Sequence, residues 1–246
     1  MQTQVSEEHS LNIELTYRLA EPQLPAIEDA YGRLWRFASV LTRAGLPIEK
    51  WHPVASNKKA TLRNIAFDAN GPTSAAIAVA NRSRRAGRHI ARSLSVWNGV
   101  YEDGGAILCD AHVINRQLCC LDLKVFDIAA FRHFATVVDL VSEAARIWSA
   151  SSVQVGPSGY FFDHKAFETR PGVGWMLYLP LVLTAPQLPE APALIPVIDG
   201  EHQRGTIIAS VVDEPFSATN PGHVKIANAV ETSMVDRGLL PLFTDL

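Results

Sequence analysis

The sequence predicts an α+β fold, in which a mainly antiparallel sheet is covered by amphipathic helices. Three runs of alternating apolar and polar residues follow one another at 92–97, 106–113 and 118–126, as in the consecutive strands of a meander. Two other segments, 27–41 and 131–148, carry apolar residues at spacings of three and four, which is typical of amphipathic helices. Because a meander needs cover on its apolar face, we expect the helices to pack against it.

The first half of the chain begins with a strand followed by a helix. Residues 11–17 alternate between apolar and polar side chains, which predicts a strand. The helix that follows is predicted to have Pro25 in its first turn and Gly45 as its stop signal. Residues 72–85 are rich in alanine and start with residues that can cap a helix, so they are predicted to be helical. A shorter helix is predicted at 61–67.

The second half of the chain repeats the mixture of strands and helices. Residues 174–183 are apolar on both faces, which predicts a central strand, and the prolines between 186 and 196 predict a stiff connection. Residues 206–212 are predicted to form another strand, and Asn220 is predicted to cap a last helix that ends near Gly238. Each half thus contains a strand, a helix and further strands, which is compatible with two similar βα halves in one compact unit.

Length and composition are those of an ordinary globular protein with one large or two small domains. The 246 residues are enough to bury a core without disulfides or metals, and the hydrophobic and charged fractions are 48% and 19%. We expect a flexible N-terminus at residues 1–10 and a single α+β domain over residues 11–246. Residues 1–10 lack the basic and apolar regions of a signal peptide, and the apolar run 175–183 is too short to span a bilayer. A cytoplasmic protein without a membrane segment is therefore predicted.

The charged residues are distributed unevenly along the chain. Residues 1–98 hold 13 basic and 8 acidic side chains, whereas residues 99–246 hold 9 basic and 17 acidic ones. This asymmetry argues against a direct nucleic-acid role and favours a protein partner that meets one charged surface, although five arginines between 82 and 92 leave a basic nucleic-acid patch as a further hypothesis. The candidate partner-binding residues are Asp199, Glu201, Asp213, Glu214, Arg84 and Arg85.

Most catalytic signatures are absent from the sequence. It contains no phosphate-binding glycine loop, zinc-protease helix, nucleophile elbow or dinucleotide fingerprint, and its eight histidines do not occur at ligand spacing. We therefore expect no enzyme activity, metal or cofactor, and we expect the three cysteines to be buried, reduced thiols. One pattern remains open: Asp110 on one strand and Asp122 and Lys124 on the next resemble the acid and D-x-K of Mg²⁺-dependent nucleases. The alternative interpretation of this pattern is a solvated sheet face.

The end of the first meander strand carries a short motif with a structural interpretation. Asn98 and Gly99 can supply the positive φ that a tight turn needs, because glycine has no Cβ and asparagine tolerates the left-handed region. Trp97, directly before the turn, is predicted to fill the core rather than to contact a partner.

Four short motifs occur in a characteristic order: Trp97-Asn98-Gly99, the Gly104-Gly105 turn, the strand from Gly205, and Asn220-Pro221 followed by a helix that ends at Gly238. With them the sequence resembles the immunity protein 52 family of bacterial polymorphic toxin systems over most of its length. The resemblance implies an α+β protein that neutralises a toxin encoded by a neighbouring gene. It further implies that the toxin is a restriction-endonuclease-like nuclease, often delivered by type VI secretion. Inhibition would then cover the toxin's active site or block its assembly.

Overall fold

The computed structural model describes residues 10–83, 90–114 and 118–246, and within these ranges it contains five α-helices and eleven strands. The strands are β1 (Ser10–Arg18), β2 (His52–Pro53), β3 (Phe67–Asp68), β4 (Gly71–Pro72), β5 (Ala91–Trp97), β6 (Ala106–Val113), β7 (Leu118–Phe126), β8 (Ser152–Gly156), β9 (Met176–Leu179), β10 (Ala193–Asp199) and β11 (His202–Ala209). The helices are α1 (Ile27–Leu41), α2 (Lys58–Thr61), α3 (Ser74–Ser83), α4 (Phe134–Trp148) and α5 (Pro221–Asp236).

One nine-stranded antiparallel sheet runs through both halves of the chain. Its strand order is β10-β11-β9-β8-β1-β7-β6-β5-β2, and β3 and β4 form a separate small hairpin. Strands β5, β6 and β7 are neighbours in sequence order, so the predicted meander is confirmed. The first strand lies in the middle of the sheet, where β1 pairs with β7 on one side and with β8 on the other. The predicted α+β class with a mainly antiparallel sheet is confirmed.

Helices cover the two faces of the sheet unequally. The apolar sides of α1 and α4 contact each other and bury one face of the sheet, where the fully buried side chains include Leu15, Leu34 and Leu121. On the other face α5 buries Val230 and Met234 against the strands β9 and β11. Because residues alternate along β9, its side chains contribute to both apolar layers, as predicted for a central strand.

Besides the two-residue strands β2, β3 and β4, two longer strands lie where the sequence predicts none. Residues 193–199 form the edge strand β10, although the prolines predict a connection. Pro196 is tolerated there because an edge strand leaves one row of backbone groups unpaired, and proline needs no amide hydrogen in that row. The five residues of β8 are all buried, so they lack the polar alternation that marks a half-buried strand.

Several helix boundaries differ from the predicted ones by a few residues. The short helix expected at 61–67 is α2, displaced toward the N-terminus because the side chain of Asn57 caps it by accepting from the amide of Ala60 at 2.9 Å. Pro25 precedes the cap of α1 instead of lying in its first turn. The stop signal is confirmed at Gly45, which has φ +85° directly after a 3₁₀ turn.

The two halves of the sheet do not share a strand order. Outward from the central β1–β8 pair, one half runs β1-β7-β6-β5 and the other runs β8-β9-β11-β10. In the first half, β1 pairs with β7, which is the last strand of the meander. In the second half, β8 pairs with β9, which is the next strand along the chain. The order of the described strands therefore shows no internal repeat.

Candidate partner-binding surface

Asn98 holds the loop between β5 and β6 in its shape. Its backbone amide donates to the carbonyl of Ala106 at 3.0 Å, and its side-chain Oδ1 accepts from the amides of Ala106 at 2.9 Å and Val100 at 3.2 Å. Its Nδ2 donates to the carbonyl of Gly104 at 2.8 Å. The turn itself passes through Gly99 at φ +85°, a conformation that favours glycine.

Trp97 supports this loop from the sheet. Its side chain is 7% exposed, and its Nε1 donates to the carbonyl of Val100 at 2.7 Å. The ring packs against Tyr101 with a centroid distance of 4.2 Å, while Tyr101 itself stays 58% exposed. Trp97 belongs to neither of the apolar clusters that the described residues form, so its predicted role in the core stays a prediction, and its ring presents Tyr101 to solvent.

Half of one sheet face is not buried by any helix in the described part of the chain. We call it the open face, and it is formed by the side chains of β5, β6, β7 and β1 that point away from α1 and α4. These side chains are half-buried or exposed, whereas their sequence neighbours Leu108, Leu121 and Leu15 are fully buried against the helices. The open face comprises Ser93, Ser95, Ile107, Cys109, Ala111, Cys120, Asp122, Lys124, Asn12 and Glu14.

Two carboxylates lie side by side in the middle of the open face. Glu14 on β1 pairs directly with Asp122 on β7, and one ligand atom from each, together with the Cys120 thiol, lies within 4.8 Å of the others. Desolvation raises the pKa of Glu14, and the neighbouring charge of Asp122 raises it further. Desolvation likewise raises the pKa values of Asp122 and of the Cys120 thiol.

This trio has ligand types that Zn²⁺ accepts in proteins. A metal binds the deprotonated forms of these groups, and the raised pKa values favour the protonated forms.

The three cysteines, Cys109, Cys119 and Cys120, are free thiols, but only Cys119 is buried, because the other two point to the open face. The prediction that all three are buried is therefore wrong.

The nearby cations make their direct contacts elsewhere, although the charge of Lys165 partly offsets the raised pKa of Glu14. Lys165 donates to the carbonyls of Glu168 at 3.1 Å and Arg170 at 3.3 Å, and Lys124 lies over the ring of Phe126 at 5.5 Å. Within the described ranges neither carboxylate of the central pair forms a salt bridge. The open face therefore carries a like-charge pair without a direct counterion among the described residues.

A π-helical turn at Tyr160–His164 borders the open face. The side chain of Asn12 donates to Ser158 Oγ at 2.6 Å, which fixes the segment before the turn beside β1. The turn exposes 85% of Phe162 to solvent. Such turns insert one extra residue per turn and are frequent at functional sites.

The base of this turn is attached to α5 through a buried carboxylate. Glu231 is 1% exposed and accepts from the Tyr160 hydroxyl at 2.6 Å, from the amide of Val173 at 2.7 Å and from the amide of Ala166 at 2.8 Å. Desolvation raises the pKa of Glu231, while these donors oppose the shift. The three hydrogen bonds hold the turn in a fixed position.

Asp110 lies on the opposite side of the sheet from Asp122. It is fully buried below α1 and α4, where it accepts from the Tyr17 hydroxyl at 2.7 Å and lies 3.4 Å from Nε2 of His112. Asp110 pairs with Leu121, so the alternation along β7 places Asp122 and Lys124 on the other face. The three residues of the nuclease pattern therefore cannot share a metal ion, and the structure contradicts that arrangement.

The four acidic candidate partner-binding residues lie in two places. Asp199 and Glu201 lie at the turn that starts β11, where Asp199 pairs with Arg204 at 2.9 Å. Asp213 and Glu214 follow the other end of that strand, which is about 23 Å long at 3.3 Å per residue. Glu214 accepts from Nε2 of His223 at 2.9 Å, because Nδ1 of the same ring accepts from the amide of Ser217 at 3.1 Å.

The two acidic pairs therefore lie at opposite ends of β11, and a role of these residues in binding stays a prediction. Arg84 and Arg85 lie outside the described residues. A cleft of about 840 Å³ lies between the loop before α1, the end of α3 and β5.

The sequence model of the family described as immunity protein 52 matches residues 19–242, nearly the whole chain. The chain belongs to the immunity protein 52 family. Among curated proteins, none matches this chain. Among solved structures, the fold is similar to that of the T6SS protein PA0821 of Pseudomonas aeruginosa, with a TM-score of 0.55 and 14% identity over 91% of this chain and 75% of that one. At this identity the similarity concerns the fold.

In this immunity protein 52 chain, the described helices are all too short or too polar to cross a lipid bilayer. The family resemblance predicted from the sequence motifs is confirmed. Sequence reasoning did not find the central carboxylate pair, although the alternation of β1 and of β7 had already placed Glu14 and Asp122 on polar faces. The missing information was the pairing of two strands more than 100 residues apart.

Proposed function

We propose that this chain binds and neutralises a cognate toxin, and that the toxin is a nuclease of the restriction-endonuclease-like class. The observation that carries the proposal is the match to the immunity protein 52 family over residues 19–242. The name of the family describes a protein that protects against a toxin. A nuclease toxin fits the acidic balance of the chain, which has a net charge of −3, because proteins that cut DNA hold its phosphates with basic side chains.

We further propose that the toxin is a type VI secretion effector and that neutralisation takes place in the cytoplasm. The support for the secretion route is the similar fold of a T6SS protein from Pseudomonas aeruginosa. The cytoplasm is the compartment in which a DNA-cutting toxin meets its substrate, so an inhibitor is needed there. Residues 11–246 would act as a single unit that either occludes the toxin's active site or blocks its assembly.

The proposal makes the chain a binding protein and not an enzyme. The alternative, a Mg²⁺-dependent nuclease that uses Asp110, Asp122 and Lys124, requires these side chains to converge on one metal ion. Asp110 and Asp122 instead point to opposite faces of the sheet. This geometry favours the immunity function over the nuclease.

The experiment is to co-express the chain with the toxin encoded beside its gene and to follow growth and plasmid integrity. We expect growth and intact plasmid with the chain, and loss of both without it. Binding is measured by calorimetry between the purified chain and the toxin's C-terminal domain carrying an inactivating mutation. Absence of both binding and protection would reject the proposal.

A separate assay checks the catalytic alternative. The purified chain is incubated with plasmid DNA and Mg²⁺, and no cleavage is expected. Cleavage that disappears in the Asp122→Ala variant would establish the nuclease and overturn the binding function.

A further inference from the structure

We infer that the open face is the surface on which the toxin docks, with Glu14 and Asp122 receiving basic side chains from the toxin's DNA-binding cleft. This inference rests on the proposed function and assigns it a surface and a mode of inhibition. A toxin whose cleft is covered in this way cannot bind DNA, so the mode is occlusion of the active site.

The open face is large enough to form most of an interface. Four strands at about 4.8 Å spacing and eight residues at about 3.3 Å rise span roughly 500 Å². A standard interface buries about 800 Å² on each partner. The π-helical turn at Tyr160–His164 and the loop between β5 and β6 border the open face and extend the available area.

The charges on this surface call for a basic partner. Like charges directly opposite each other on neighbouring strands destabilise a sheet, and Glu14 and Asp122 are such a pair. Exposed Glu102 and Asp103 add two carboxylates in the adjoining loop. A nuclease must place lysines and arginines where DNA phosphates bind, and those side chains form charge-assisted hydrogen bonds with carboxylates. The unfavourable pair of the free protein thus becomes complementary in the complex.

Two exposed aromatic side chains border the charged centre. Tyr101 is 58% exposed and rests on Trp97, while Phe162 is 85% exposed on the turn that Glu231 anchors. Aromatic residues dominate the binding energy of many interfaces, and anchors already held in position lose little conformational entropy on binding. We expect them to contact apolar groups around the toxin's basic cleft.

The test compares two charge reversals of one residue type on opposite faces of the protein. Asp122→Lys changes the open face, and Asp139→Lys changes an exposed position on α4, which covers the other face. The probe is the inactivated C-terminal domain of the toxin encoded beside the gene, titrated by calorimetry. We expect Asp122→Lys to weaken binding about 100-fold, since like charges across an interface are strongly unfavourable, and Asp139→Lys to change it less than about twofold.

Binding of the wild-type protein distinguishes a failure of the proposed function from a failure of the proposed docking surface. If it fails to bind the probe, the proposed function is rejected. If it binds and Asp122→Lys binds equally well, the open face is not the interface, although the proposed function stands. Thermal melting controls for folding: Asp122→Lys should melt no lower than wild type, because it replaces a repulsion from Glu14 by an attraction. If it does melt lower, Asp122→Asn provides the same comparison by charge removal, with about tenfold weaker binding expected.

A displacement measurement tests the mode of inhibition. A fluorescent DNA duplex bound to the inactivated toxin domain should be released by the wild-type chain and retained with Asp122→Lys. A stable complex of toxin, DNA and wild-type chain would overturn occlusion of the DNA-binding cleft.

Discussion

Replacing Asp110 by alanine should destabilise the protein strongly, whereas the same change at Asp122 should not. The two residues lie on neighbouring strands, yet Asp110 is fully buried and Asp122 is exposed. In the alanine variant the Tyr17 hydroxyl loses its acceptor at 2.7 Å, and Arg33 and His112 lose the carboxylate that lies 3.9 and 3.4 Å away. The buried donors would remain without a charged partner.

The expected magnitude follows from these contacts. A hydrogen bond to a charged group contributes about 1.5–3 kcal/mol, and breaking a buried charge pair costs about 3–5 kcal/mol. The two values describe overlapping contacts, and Arg33 is 20% exposed, so we expect a loss of about 4 kcal/mol in the free energy of unfolding. At about 2–4 °C per kcal/mol for a chain of this size, the melting temperature should fall by about 10 °C. For Asp122→Ala we expect a change within about 0.5 kcal/mol.

The measurement is urea unfolding followed by circular dichroism, supported by thermal melts of the wild type and both variants. Two variants of equal chemistry on adjacent strands provide the control, because they differ only in the face to which the side chain points. If Asp110→Ala melts within about 2 °C of wild type, the assignment of Asp110 to the buried face is wrong.

Three further predictions concern the loop, the sheet and pH. Trp97→Ala should lose about 3–5 kcal/mol by emptying a large buried site, and normal melting together with lost toxin binding would contradict its structural role. Gly205→Ala should lower the free energy of unfolding in urea by about 3 kcal/mol, because a Cβ there would collide with the carbonyl of Leu179 and lie 2.6 Å from the ring of Tyr178. An unchanged free energy of unfolding would show that β9 and β11 can move apart at little cost. The raised pKa values of Glu14 and Asp122 mean that the folded state binds more protons, so their contribution to stability is present below about pH 4 and is lost as pH rises through the folded-state pKa values. The stability of wild type relative to the double variant Glu14→Gln, Asp122→Asn should therefore decrease from pH 4 to pH 7, and parallel pH profiles would show that burial does not raise these pKa values.

Local patterns in the sequence predicted most of the elements. Alternation identified β1 and the meander, and the three- and four-residue spacing identified α1 and α4, because a periodicity over eight or more residues reports which side is buried. The same logic fails for β8, whose five residues are buried on both sides, and for β10, whose prolines are acceptable only at an edge that the sequence does not reveal.

The candidate surface was harder to predict than the fold. Alternation alone shows which side chains share a side with Asp110 on β6 and which share a side with Asp122 on β7. Whether these two sides belong to the same face of the sheet depends on the register between β6 and β7. The four acidic candidates at 199–214 are close in sequence but lie at opposite ends of β11, because an extended strand of eight residues separates its ends by about 23 Å. Glu14 and Asp122 show the converse, since pairing of β1 with β7 joins residues distant in sequence.

The central position of β1 also affects how a new molecule is made. Leu15 pairs with Leu121 and with Val153, which leave the ribosome about 100 and about 140 residues later. At roughly 5–20 residues per second, the first strand waits about 5–20 s for its first neighbour, with both rows of backbone hydrogen-bonding groups unpaired in the meantime. During that interval it can associate with other nascent chains, so slow translation should favour aggregation.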